Sequence, residues 1–532
     1  MASSQEEPER LRSALDPETV LASTEDGRAA NVRQIRGSSL LLLGRMIGLA
    51  LDFTAQVLIV RYLEKTEYGA FALALSIVAI ATTLCLLGLE RTVGRFAPIY
   101  QEHGDLGRMW GTIVLIVTTV LTVGLAVVLG TYAFQGVIGG VVHNELALSI
   151  LMLMIVLSPL QALDSLLLAM FATFGSARSI FFRRYVVAPL LQLSVVVVLI
   201  STASDVRVLA LGYVLAAAVG MAVYSVVLLR LLRRQGLLEH LRRDTIRIPA
   251  REIFSFSIPL LASDLVFVLR SSLPIVFLEI LRSTEEVAEF RAVLPLAIQN
   301  LFVATSFRFI FTPGASRLFA RGENKALNDL YWQTAIWIAI LSFPLFALCL
   351  AYAEPLAVLL FGEPYRSAGV VLSILCIGYY VNGAMGFNSL LLRVFGRVRY
   401  MVTSDLATAA VSLAATVVLI REFGAIGAAI GTTASLLLQN AFYQWGLRTR
   451  TTVAALDRRY ARAYVSIAIG AVVVVVVQRL LDLALLGGIV LVGVVSLTIF
   501  GINRHSMQIM ETYPELGRFR LVRRIFGDAT LT

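Results

Sequence analysis

The sequence predicts an all-α polytopic membrane protein of about 14 transmembrane helices: two pseudo-symmetric six-helix bundles followed by a C-terminal helix pair. Three observations predict it. Hydrophobic residues fill 58% of the 532 positions and charged residues 15%, against about 45–50% and about 25% in a soluble domain. The apolar residues fall into about fourteen runs of membrane-crossing length. Basic residues gather in alternate loops. No single soluble core could shelter this excess, because cores stop growing near ~250–300 residues. A secreted enzyme, a nucleic-acid-binding domain and a disordered chain are excluded.

A helix needs roughly 20 apolar residues to cross about 30 Å of hydrocarbon. The expected spans are 38–60, 69–89, 109–130, 146–171, 184–203, 208–229, 253–278, 291–312, 334–353, 367–390, 400–420, 424–446, 463–478 and 483–502. Helices suit them because an open sheet edge in lipid leaves backbone groups unpaired. When Arg184 and Arg291 are counted with the loops they border, one side carries 34 basic residues and the other 8. That bias places both termini in the cytoplasm and supports an even number of crossings. The expected location is the cell (inner, cytoplasmic) membrane.

The expected organisation is a disordered cytoplasmic tail (1–35), an N-terminal six-helix bundle (36–230), a basic cytoplasmic linker (231–251), a C-terminal six-helix bundle (252–447), a basic loop with helices 13 and 14 (448–502), and a cytoplasmic tail (503–532). The first tail is acidic and lacks the basic start and short apolar stretch of a signal peptide. The linker, with Arg242, Arg243 and Arg247, suits anionic lipid. Gly44 and Pro259 are 215 residues apart, as are Pro98 and Pro313. This faint repeat places both halves in one orientation, with a cleft between them.

Cys85, Cys349 and Cys376 lie in apolar runs, and the four histidines are scattered. There is no metal-ligand spacing, no nucleotide loop and no catalytic constellation in the sequence. The chain therefore reads as a non-enzyme without a resident cofactor. Glycine-rich stretches such as Gly424 to Gly431 read as small-residue packing faces.

Charges inside the spans are the candidate functional residues, since each costs about 2.5–3.5 kcal/mol at a helix centre on insertion scales. Arg45 and Asp52 share one face of the first span, and Gly44 and Gly48 thin it. A cationic site for an anionic substrate would use Arg45, Arg270 and Arg308, with Tyr379 and Asn382 lining the cleft. Asp52, Asp264 and Asp164 are candidate counter-ions or proton- or sodium-coupling residues. Structural ion pairs, or snorkelling of Arg45, are the alternative. Pro259 and Pro159 are candidate hinges. Asp405 is expected to pair with the nearby Arg393, Arg397 and Arg399.

Local strings add a resemblance. Arg61-Tyr62-Leu63, Glu67-Tyr68-Gly69, Gly88-Leu89 and Arg91 to Arg95 resemble the opening of polysaccharide flippases of the Wzx/PST type, within the MOP exporter superfamily. Leu360 to Tyr365 and Asn388 to Arg397 resemble later parts of that pattern, and the similarity extends over roughly residues 33–450. The resemblance implies alternating-access transport of a lipid-linked oligosaccharide, carried on an isoprenyl diphosphate, from the cytoplasmic to the outer leaflet. It implies two bundles in a V around a cationic cavity that includes Arg45. The implied partners are the isoprenyl-linked glycan, membrane lipids and a glycan polymerase or glycosyltransferase complex, with no nucleic acid. The sequence departs from the pattern in placing Pro259, not a second arginine, opposite the Gly44-Arg45 neighbourhood. An ion-coupled drug or metabolite exporter of the same superfamily and a membrane glycan polymerase or acyltransferase are the alternatives.

Overall fold

The computed structural model describes residues 44–142, 144–175, 177–240, 246–454 and 457–504. The expected tails lie outside these residues, except for 503 and 504. Every regular element among them is helical, as hydrocarbon demands of a chain whose backbone groups must pair within one segment.

The first half holds α1 (44–62), α2 (Lys65–Leu86), α3 (Glu90–Glu102), α4 (Leu106–Ala133), α5 (Gln135–Val141), α6 (Glu145–Met154), α7 (Leu157–Phe174), α8 (Ala177–Phe181), α9 (Ala188–Ser201) and α10 (Val206–Arg234). A π-helical stretch, Phe182–Val187, joins α8 to α9. The second half holds α11 (Ala250–Leu281), α12 (Thr284–Ile298), α13 (Phe302–Ala320), α14 (Asn324–Ala351), α15 (Ala353–Phe361), α16 (Ala368–Ala384), α17 (Asn388–Val394) and α18 (Val398–Arg450). The closing pair is α19 (Ala461–Leu481) and α20 (Leu485–Asn503).

Side chains set many of the helix starts. Asp105 accepts from the Arg108 amide at the head of α4, Asn144 from Leu146 and Ala147 at α6, and Asp205 from Val208 at α10. Such caps satisfy amides that have no partner in the first turn. Positive φ marks the breaks. Leu87 (φ 48°) and Gly88 (φ 71°) separate α2 from α3. Gly424 (φ 56°, ψ −130°) turns the chain back within the 53 residues of α18. The two arms of α18 then close on small residues. A Cβ on Gly427 would meet the Leu419 carbonyl oxygen at 1.9 Å, and one on Gly431 the Thr416 hydroxyl at 2.4 Å.

By length and composition, 12 helical segments among the described residues can cross a membrane. Two features separate this from the expected fourteen. The α18 segment is one of the 12 although Gly424 divides it into two arms, and α1 carries Arg45, Asp52 and Arg61 in 19 residues. Pro259 sits inside α11, which is helical from Ala250 to Leu281 and also contains Pro274. Pro159 instead follows the two-residue break between α6 and α7.

The second half is held to the first at both ends of α11. Near the start of α11, Glu252 accepts from the Tyr100 hydroxyl (3.0 Å) and Phe256 meets Phe96 edge-on. The Ser257 carbonyl oxygen lies where a Cβ on Gly88 would stand, 2.5 Å away. At the opposite end, Lys65 pairs with Glu289 of α12 at 2.7 Å, and Asn144 donates to Thr284 at 2.9 Å. Gly69 allows α2 to touch the Thr284 backbone. There Arg61 also donates to the Leu359 and Leu360 carbonyls, the latter at 2.9 Å, capping the C-terminus of α15.

Candidate functional site

A cavity of about 670 Å³ lies between α11, α12, α16 and both arms of α18, with one wall from α2. Its charged lining is Arg270 from α11 and Arg291 from α12, and neither Asp nor Glu among the described residues lines it. Helical spacing explains the second arginine: Arg291, Leu294, Ile298 and Leu301 form one stripe facing the cavity. Tyr379 and Asn382 of α16 complete the polar side, and Tyr379 is within electrostatic reach of both guanidiniums. Of the residues expected from sequence, the cavity brings together Arg270, Tyr379 and Asn382. Arg291 is not evident in the sequence because the expected span begins at it and groups it with a loop; α12 begins at Thr284 and places it two turns inside.

Each of the two arginines is held differently. Arg270 donates from Nη1 to Gln439 Oε1 at 2.8 Å. Arg291 has no hydrogen bond or ion pair among the described residues, and Tyr68 and Tyr379 are its electrostatic neighbours. Asn382 Oδ1 accepts from Asn440, whose own Oδ1 accepts from Asn388. This amide chain fixes Asn382 at the cavity wall without a charge.

Arg45 and Arg308 lie outside this cavity and near one another. Arg308 has both Arg45 and Arg393 within electrostatic reach, and none of the three forms an ion pair among the described residues. The Gly44 and Gly48 surface of α1 seats against Phe181 and Tyr185, the closest Cβ approach being 2.6 Å at Gly44. Asp52 is exposed, without an ion pair among the described residues, and has Tyr213 in electrostatic reach.

The other two candidate carboxylates are already engaged. Asp264 takes Arg91 of α3 at 2.5 Å, joining the two halves. Asp164 takes Arg183, which is buried and also stacks over Tyr224 at 4.5 Å. The expected ion pairing of Asp405 with its own cytoplasmic arginines is corrected. Its partners are Gln439 Nε2 at 2.7 Å and the Tyr443 hydroxyl at 2.5 Å, on the other arm of α18. Asp405 is about two helical turns past Arg397 and Arg399, Arg393 lies on α17, and the hairpin at Gly424 brings the second arm to Asp405.

Outside the spans, Arg366 and Arg459 hold their carboxylate neighbours strongly. Hydrogen bonding to Arg366 pushes the Glu363 carboxyl below its usual range, and Arg459 does the same to Asp457. No group of three or more His, Cys, Asp or Glu residues among those described could hold a metal ion.

Residues 35–308, just over half the chain, match the model of a family described as polysaccharide biosynthesis protein. The chain belongs to this family. A relative from Methanocaldococcus jannaschii, an uncharacterized membrane protein designated MJ1068, is 23% identical over 492 residues, covering 88% of this chain and 96% of the relative. Among solved structures, the fold is similar to the lipid II flippase MurJ in an inward closed conformation, with TM-score 0.66 and 13% identity, over 89% of this chain and 99% of that one. It is also similar to an inward-facing multidrug resistance MATE family transporter of the MOP superfamily, with TM-score 0.59 and 16% identity, over 77% and 97% of the two chains. The family member described here is thus a multi-pass membrane protein with a MurJ- and MATE-like fold.

Proposed function

We infer that this chain moves an isoprenyl-diphosphate-linked oligosaccharide from the cytoplasmic to the outer leaflet of the cell membrane by alternating access between its two halves. The observation that carries this reading is the pair Arg270 and Arg291 in a cavity of about 670 Å³ that no carboxylate among the described residues lines. A guanidinium left without a counter-charge in such a place favours an anionic headgroup through charge-assisted hydrogen bonds. The same two charges disfavour a cationic drug. Passage through hydrocarbon would strip water from the diphosphate and sugars, whereas a polar cavity replaces those contacts while the isoprenoid chain stays in lipid. The Arg45, Arg308 and Arg393 cluster provides an entry point for the headgroup on the arginine-rich side, which is cytoplasmic in this reading. No bond of the substrate changes.

In this scheme Asp52 is the proton- or sodium-coupling group, because Asp264 and Asp164 already hold Arg91 and Arg183. A glycan polymerase or glycosyltransferase complex would supply or consume the substrate. The test is a leaflet-access assay on proteoliposomes carrying a defined isoprenyl-diphosphate glycan. The wild type should expose the glycan on the far leaflet, and the double variant Arg270→Ala, Arg291→Ala should lose at least about tenfold in rate, since each charge-assisted bond contributes about 1.5–3 kcal/mol. Efflux of a soluble compound with no glycan movement would overturn this reading in favour of an exporter.

A further inference from the structure

The cavity arginine Arg270 is anchored in an unusual way. Its acceptor is an amide, Gln439 Oε1 (2.8 Å), while the charge that steadies the amide sits one step back. Gln439 Nε2 donates to Asp405 Oδ1 (2.7 Å) and to the Tyr443 hydroxyl oxygen (3.2 Å). Tyr443 closes the ring by donating to the same Asp405 oxygen at 2.5 Å. Three segments meet here: α11 and the two arms of α18.

We propose that Asp405 is a positioning residue of the cavity, fixing the Arg270 guanidinium through Gln439 without neutralising it. A direct Arg–carboxylate pair would satisfy both charges and leave nothing for an anionic ligand. An unanchored arginine would lose side-chain freedom on each binding event and weaken the complex. The amide avoids both outcomes. With its Nε2 hydrogens committed to Asp405 and Tyr443, Gln439 can present only its carbonyl oxygen to Arg270. The remaining N–H groups of Arg270 are then directed to the cavity with their full charge. Asp405, Gln439 and Tyr443 thus tune affinity for the acidic headgroup; Asp405 and Tyr443 do so without lining the cavity. This rests on the cavity being the headgroup site.

The experiment titrates farnesyl diphosphate, a short isoprenyl diphosphate, against detergent-purified full-length protein, and measures the melting temperature of each variant alongside. Asp405→Asn and Tyr443→Phe should weaken binding several-fold. Gln439→Glu should weaken it by more than about tenfold, because a carboxylate would sit on Arg270 and cancel its charge. Gln439→Met should weaken it less than Gln439→Glu, because no opposing charge is added beside the guanidinium. A purely structural role predicts the loss of affinity in each variant to follow its loss of melting temperature, and that result would overturn the proposal. Unchanged affinity in Asp405→Asn and Tyr443→Phe, with wild-type binding intact and Arg270→Ala impaired, would overturn the relay and leave the headgroup site standing. Wild-type protein that does not bind the diphosphate would overturn the site and the relay together.

Discussion

Arg91 of α3 and Asp264 of α11 meet at 2.5 Å and tie the first half of the chain to the second. The contact lies next to the break at Leu87 and Gly88, where α11 comes closest to the α2–α3 junction. Both side chains are partly exposed (56% and 32%), which limits the pair to about 1 kcal/mol or less. That is small for stability and large enough to bias a two-state equilibrium about fivefold. Arg91→Ala and Asp264→Ala should each raise the labelling rate of a cysteine introduced on the facing surface of α3 by a few-fold. The exchange Arg91→Asp with Asp264→Arg should restore the slow rate. Labelling equal to wild type in both single variants would count against a latch here.

A second tie, Lys65 to Glu289 at 2.7 Å, works at the opposite end, where Ser367 also donates to Glu289 at 2.6 Å. Lys65→Met should favour opening on that side. The expected readout is faster modification of a cysteine placed at Ser367 by an impermeant reagent, with slow modification retained in a Lys65→Arg control.

Gly88 combines a positive φ of 71° with a contact of 2.5 Å between its would-be Cβ and the Ser257 carbonyl oxygen. An alanine meets strain in the backbone and a clash against α11 at once. Gly88→Ala should lower the melting temperature by several degrees, consistent with about 1–3 kcal/mol for overpacking. Gly94→Ala, six residues on with open space around it, should be close to neutral.

The Asp457 loop makes a pH prediction. Arg459 hydrogen bonding depresses the Asp457 carboxyl below its ordinary value of 3.8. A carboxylate with a depressed folded value contributes stability above its unfolded value and loses it as pH falls through the folded one. Asp457→Asn should therefore melt below wild type at neutral pH. The gap should narrow only as the solution is acidified below about pH 4. A gap that is constant from pH 7 to pH 3 would exclude the ionised carboxylate as its source.

Much of this molecule is legible in its sequence because hydrocarbon imposes one rule on every segment. Length and apolarity place most of the helices, and the scarcity of charge within them points to Arg270. What escapes is what depends on the third dimension. Arg291 hides at a span edge because α12 starts seven residues before the hydropathy rises. Asp264 and Asp164 read as lone charges because their partners, Arg91 and Arg183, are loop residues in the sequence and helix residues in the fold. Arg393 reads as one more topological arginine until α17 brings it beside Arg308. Asp405 reads as the partner of its sequence neighbours until the turn at Gly424 offers Gln439 and Tyr443.

That turn has a practical consequence. The two arms of α18 are joined at their far end through a single glycine, with Glu286 pressed against it and accepting from the Ala425 amide at 2.6 Å. The chain there offers no slack for an inserted epitope, a protease site or a fluorophore. Substituted reporters of movement belong at Gly130, Gly136 or Gly140, where the surroundings are open and no positive φ has to be kept.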